Sequence, residues 1–183
     1  MRLSSLILTA LLASLAGCGK TAPSAAVGPV AAASIQDIMK SVVEPAANTI
    51  WKPPASISDP AGSKSPPAQL GADWLTLHHS AVALAEAPNL LIMEGRKAAA
   101  PGAKLQDEGA EGILPNVQIQ QRLETERPLF RQYARRLQTA SLEALSAIDR
   151  KDPDALLDAG GKVDEACEAC HQHFWYPPSE RGK

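Results

Sequence analysis

Ala166-Cys167-Glu168-Ala169-Cys170-His171-Gln172-His173-Phe174 closes a stretch that opens at Asp152-Pro153 and stops at Pro177-Pro178. Asp152 suits a helix cap and Pro153 the first helical position, where a missing N–H costs nothing. The paired prolines cannot continue a helix. Between these limits Leu156, Gly160, Val163, Cys167, Cys170 and Phe174 recur along one side at helical spacing, with His171 one turn beyond Cys167. The spacing predicts a last helix that carries Cys-x-x-Cys-His near its end.

That pentapeptide is the attachment motif for haem c. Two intervening residues set the thiols about one helical turn apart, within reach of the two vinyl groups on one porphyrin edge. The adjacent imidazole of His171 is then placed to hold the iron from the proximal side. Three other uses of the residues compete. A Cys-x-x-Cys redox disulfide normally opens a helix after a strand, and no βαβ pattern occurs here. A zinc site could recruit Cys167, Cys170 and His173, but no second ligand pair has finger-like spacing. A plain structural disulfide is also open to the pair in an oxidising compartment.

Upstream, Asn116 to Arg150 reads as the clearest helix. Asn116 is placed to cap it, and Phe130, Ala134, Leu137, Ser141, Ala144, Leu145 and Ile148 form its inner stripe. Pro128 suggests that the regular part starts near Arg127. Lys97 to Pro115 is an Ala/Gly/Pro-containing connection. Before it, about Ala68 to Met93 is expected to be helical, with Leu70, Trp74, Leu77, Ala81, Leu84 and Leu91 inward, a bend at Pro88 and a stop at Gly95. Lys52 to Pro67 holds five prolines and reads as loop. Ser34 to Trp51 is the first periodic segment. Ile35, Ile38, Met39, Val42, Ala46 and Ile50 lie near one face, Ser34 and Asp37 form a box-like start, and Pro45 should kink or split the helix.

No run alternates with period two, so the expected fold is all-α: an antiparallel four-helix bundle with haem attached near the C-terminus. The chain of 183 residues holds three Trp, two Tyr and two Phe, and its helices are rich in Ala. A macrocycle wedged between helices would supply apolar volume that the side chains lack.

The N-terminus reads as an export signal. Arg2 precedes a short apolar run, Leu3 to Leu15, well below the about 20 residues a membrane span needs. Leu15-Ala16-Gly17-Cys18 resembles the lipobox of bacterial lipoproteins, in which the Cys is acylated and becomes the first mature residue. The expected organisation is a signal peptide over 1–17, a lipidated flexible tether over 18–33, the bundle over 34–176 and a tail over 177–183. Cys18 would then take lipid, and Cys167 and Cys170 haem, which accounts for all three cysteines. Such a protein is expected in the periplasm, anchored by lipid to a bacterial membrane.

Charge excludes one class of partner. The chain carries 18 Lys+Arg against 20 Asp+Glu, and loss of Arg2 with the signal leaves about −3. A nucleic-acid partner is not expected from that balance. No Ser/His/Asp set, phosphate-binding glycine loop or paired carboxylates stand out, so no conventional enzyme is expected.

With the attachment motif in the last of four predicted helices, the chain resembles the cytochrome c-prime family, including its low-spin, Met-ligated relatives. In that family a helix near the mature N-terminus supplies the residue facing the distal side of the iron. Ile38-Met39-Lys40 is similar to the family's apolar-Met-Lys segment. The resemblance spans roughly Ala33 to Phe174. It implies one haem c per chain, His171 as proximal ligand, Met39 as candidate distal ligand, and often a homodimer. Phe174 fits the family's aromatic position, while Trp175 stands where a basic residue is frequent.

The distal side separates two functions. With Met39 sulfur on the iron, the site is six-coordinate and suits electron transfer to periplasmic or membrane redox proteins. With Met39 merely packed, as Met on an apolar helix face often is, a five-coordinate haem would bind nitric oxide or carbon monoxide. His78 and His79 are further candidates for a sixth ligand, only one of which could face the iron. His173 is expected at the surface. A third reading is a lipoprotein that uses the cysteines for a non-haem metal or a disulfide.

Overall fold

The computed structural model describes residues 28–59, 61–62 and 67–178. The signal segment 1–17, the lipidation candidate Cys18, most of the tether and residues 179–183 lie outside them. The described residues form α1 (Ile35–Ile38), a π-helical turn (Met39–Val43), α2 (Glu44–Trp51), α3 (Ala55–Ser58), α4 (Pro67–Leu91), α5 (Asn116–Thr125), α6 (Arg127–Asp149) and α7 (Pro153–Phe174). No strand occurs among them. The fold is an all-α four-helix bundle, its members being α1 with the π turn and α2, then α4, α6 and α7. The helix α6 packs extensively on α4 and α7, α2 packs on α4, and the seam between α2 and α7 is the most loosely closed of the four.

The starts of the bundle helices follow capping chemistry. Ser34 is buried and accepts from the Asp37 N–H, while Asp37 accepts from the Ser34 N–H at 2.9 Å and from its hydroxyl at 2.7 Å. That reciprocal pair satisfies donors that a helix start leaves orphaned. Asp152 caps α7 by accepting from the Ala155 N–H, with Pro153 in the first turn. Asn116 does not cap α5. Pro115 occupies the cap position, and Asn116 instead donates its N–H to Glu108 Oε1.

Prolines act where their geometry requires. The expected third helix is two helices, broken at Glu126 directly before Arg127-Pro128. Pro128 has no N–H to give the Glu124 carbonyl, and the chain leaves helical geometry at Glu126, which has φ −107° and ψ 29°. In α4 the helix runs on through the fully buried Pro88. The Gln138 amide donates to the Ala85 carbonyl beside it, and Arg127 donates to the Ile92 and Met93 carbonyls past the helix end. The segment expected to be pure loop between Lys52 and Pro67 contains α3, whose Ile57 is buried in the main core.

The inner stripes fall as expected except at one end. Trp74, Leu77, Ala81, Leu84 and Leu91 are buried on α4, but Leu70 in its first turns is exposed, beyond the reach of the facing helices. The core divides into two apolar clusters. One joins Val43, Ala47, Ile50, Leu77, Leu84, Leu137 and Val163 in the body of the bundle. The other joins Leu91, Ala98, Leu114, Ile119, Leu123, Phe130 and Phe174 at one end. Met39 packs against both; Cys167 touches the first and Cys170 the second.

Candidate functional site

Between the two clusters, on the α2–α7 side, lies a cavity of about 360 Å³, within the range of small-molecule sites. From one side α7 contributes Cys167, Cys170, His171 and Phe174, followed by Trp175. From the other, the first bundle helix contributes Ile35, Met39, Val43 and Ala47. Phe130 of α6, Ile119 and Leu123 of α5, and Ala98 and Leu105 of the connection complete the apolar wall. Helical geometry explains the α7 set: positions 167, 170, 171 and 174 fall on one face by the i, i+3, i+4 rule.

The connection is held over the cavity by backbone bonds. The Ile35 N–H donates to the Lys97 carbonyl at 2.8 Å and the Gln36 N–H to the Ala98 carbonyl at 3.0 Å, so the loop supplies acceptors for the first turn of α1. At its other end the Leu114 N–H donates to the Trp175 carbonyl at 2.9 Å. Arg122 of α5 donates to the His173 carbonyl, tying α5 to the end of α7.

Burial sets the protonation states. The Cys167 thiol is pushed up to about 11, first by desolvation and then by the charge of Asp164. Desolvation and the neighbouring Cys167 push Cys170 up to about 12. His171 is lowered from 6.5 by burial, against a smaller opposing effect of Glu168. A depressed histidine stays neutral at physiological pH and keeps a lone pair for a metal. Its ring is braced edge-on by Trp175, with centroids 5.3 Å apart at 85°, and lies against Tyr176 at 6.1 Å.

The site therefore offers two protonated thiols, a neutral imidazole and a thioether around one apolar slot. This donor set fits a haem c: addition of each S–H across a vinyl group needs no leaving group, and the imidazole can face the iron. The Trp175 indole Nε1 is buried with no hydrogen-bond partner among the described residues, which suits a cavity made to be filled by more than protein. Cys167 and Cys170 are free thiols rather than a disulfide. Among the described residues no group of three or more His, Cys, Asp or Glu side chains is placed to hold a bare metal ion.

Cys167, Cys170, His171 and Met39 thus meet in one place. His78 and His79 do not join them. His78 Nδ1 lies 3.0 Å from Asp149 Oδ1 at the surface, and His79 is exposed beside it. His173 is not the surface residue expected. It is half-buried, its Nε2 2.6 Å from Glu126 Oε2 and its ring against Tyr133, because the break at Glu126 directs that carboxylate towards the end of α7. Reading the sequence also missed Ala98, Leu105, Ile119 and Leu123. The i, i+4 pair Ile119 and Leu123 was the available signal; nothing local marks the two loop residues.

Among the described residues no helix is long and apolar enough to cross a membrane. No family model matches the chain, and no curated protein does. Among solved structures the chain is similar to a mutant of cytochrome c prime from Alcaligenes xylosoxidans in complex with nitric oxide. The identity is 20%, over 82% of this chain and 98% of that chain, with a TM-score of 0.38. Two backbones that superpose so loosely add no weight, and the bundle stands on its own helices.

Proposed function

We propose that this chain is a membrane-anchored, periplasmic mono-haem c-type cytochrome of the c-prime kind, and that its role is electron transfer. The observation that carries the reading is the meeting of Cys167, Cys170, His171 and Met39 on opposite walls of one apolar cavity. Cys167 and Cys170 hold the porphyrin covalently, and His171 presents its neutral imidazole as proximal ligand. When bound, the haem supplies a one-electron couple. Met39 is the distal ligand, a choice that raises the potential. With haem bound, the apolar side chains of the lining, among them Ile35, Val43, Leu123 and Phe130, would limit water in the slot, and the packing of His171 and Met39 would hold those two side chains in place as the charge changes. Cys18 carries the lipid that keeps the domain near redox proteins of the periplasm or membrane, and a second copy of the chain is a further partner. The role is that of a carrier, not of a catalyst.

A second reading has support in the same walls. Ile35, Val43, Leu123 and Phe130 line the same cavity as Met39, and their apolar side chains suit an uncharged diatomic gas if the thioether stays off the iron. Both readings require haem. The protein made in a strain competent for cytochrome maturation is expected to give a haemochrome spectrum of the c type and to gain the mass of one haem. Absence of either removes both readings. Met39→Ala then separates them: loss of a near-infrared Met-to-iron band with gain of rapid carbon monoxide binding by the ferrous protein supports electron transfer. Rapid binding already in the native protein, with no such band, supports the gas site instead.

A further inference from the structure

Two residues lie between the cysteines of α7, and the first of them, Glu168, lines the cavity beside Cys167, Cys170 and His171. It stands one turn before His171, at i, i+3 spacing. Glu168 is exposed, and an exposed glutamate ordinarily ranges over several rotamers. Here both carboxylate oxygens are taken. The Gln172 amide donates to Oε1 at 2.7 Å, and the Tyr176 hydroxyl donates to Oε2 at 2.6 Å. Gln172 is the helical neighbour at i+4. Tyr176 lies just beyond the end of α7, where the Trp175 and Tyr176 N–H groups both donate to the His171 carbonyl, at 2.8 and 3.0 Å. That turn lays the Tyr176 ring against the His171 ring, with centroids 6.1 Å apart, and the hydroxyl reaches back to Glu168. Carboxylate, tyrosine and imidazole thus form one closed group. The Glu168 charge is felt at the imidazole, where it opposes the larger effect of burial.

We propose that Glu168, clamped by Gln172 and Tyr176, is a positioning residue that sets a negative charge beside the proximal imidazole and so lowers the reduction potential of the iron. Carboxylates next to metal-holding histidines orient the ring and raise its donor strength. Reduction moves one electron from a redox partner to the iron and removes one positive charge from the site. A carboxylate nearby therefore favours the ferric form. Its effect runs against that of a thioether on the opposite axial position, which raises the potential. The proposal rests on the haem reading with His171 as ligand, and it holds whether or not Met39 binds. The rival source of negative charge on α7 is Asp164, which also lines the cavity but acts on Cys167.

The test uses the full-length, haem-loaded protein. Midpoint potentials are measured by spectroelectrochemistry at low ionic strength, where screening is weakest. Native protein is compared with Glu168→Gln, with the double variant Gln172→Ala, Tyr176→Phe, and with Asp158→Asn. Glu168→Gln keeps the shape of the side chain and removes its charge. It is expected to shift the reduction equilibrium about fivefold towards the ferrous form, a rise of about 41 mV for one electron. The double variant keeps the charge but frees the side chain, and its potential should rise part of the way. Asp158 is exposed on the same helix, about 15 Å back along the axis, and Asp158→Asn should shift the equilibrium less than about twofold. A shift below about twofold in Glu168→Gln overturns the proposal. So does an equal shift in Asp158→Asn, which would mark net charge rather than placement. An unchanged or lowered potential in the double variant overturns the clamp. If Glu168→Gln takes up no haem, the double variant decides by the same sign; failure of both overturns the proposal, since the group would then serve folding. Native protein without a haemochrome spectrum overturns the haem reading itself, and the proposal with it.

Discussion

Cys167 and Cys170 hold on to their protons. Burial pushes the two thiols up to about 11 and about 12, against an ordinary 9.0, and a thiolate is the reactive form. At pH 8 the thiolate fraction of Cys167 falls about 100-fold below that of an ordinary cysteine, and that of Cys170 about 1000-fold. In folded apoprotein both should therefore alkylate with iodoacetamide slower by about those factors, and at ordinary rates in urea, as followed by mass spectrometry. Equal rates in both conditions would show that the cavity is open. The same burial implies that the thiols are best reached before α7 docks. His171 obeys the same physics with the opposite proton sign. Its folded value is depressed below 6.5, so it stabilises the neutral, ligand-ready fold above that pH, and the contribution fades as pH falls.

At the scale of single elements, chain chemistry and chain contacts divide the work. The box at Ser34 is local: hydroxyl, carboxylate and two backbone N–H groups within four residues. Ser34→Ala should cost about 1 kcal/mol of unfolding free energy by denaturant titration, and a change below about 0.3 kcal/mol would show that the connection alone anchors α1. Asp37 is held below its ordinary 3.8, chiefly by the Ser34 hydroxyl and then by its N–H. Its support is present above that value and is lost as pH falls through the lowered one. In Ser34→Ala the Asp37 titration should move up towards 3.8, since only the backbone bond and the charge of Lys40 still lower it. The cap at Asp152 was equally legible, because it lies beside Pro153, and Pro128 marked where the regular part of α6 begins, though not that the segment before it is a separate helix. The helix α3 was not legible. Five prolines and short polar residues argue for loop, and α3 exists because Ile57 finds a place in the core.

For the whole molecule, stability rests on the body of the bundle, and function on the seam it leaves open. Leu84 is fully buried among α4, α6 and the first helix. Leu84→Ala should cost about 2–5 kcal/mol, read from the midpoint and slope of denaturant unfolding. A cost under about 1 kcal/mol would mean that the site collapses freely. The many buried alanines, among them Ala81, Ala140, Ala144 and Ala159, let helices approach closely on the α4–α6–α7 side. The α2–α7 seam stays loose, and there the cavity opens. The order of the four bundle members, the position of Cys167, Cys170 and His171 at the end of the last one, and the caps at Ser34 and Asp152 were present in the sequence itself, because each depends on residues within about one turn of one another. What only the tertiary structure decided was the roof made by Ala98 and Leu105 and the pairing of His173 with Glu126. Each of these is a contact between groups distant in the chain. Local periodicity, which relates residues within a few turns, has no means to record them.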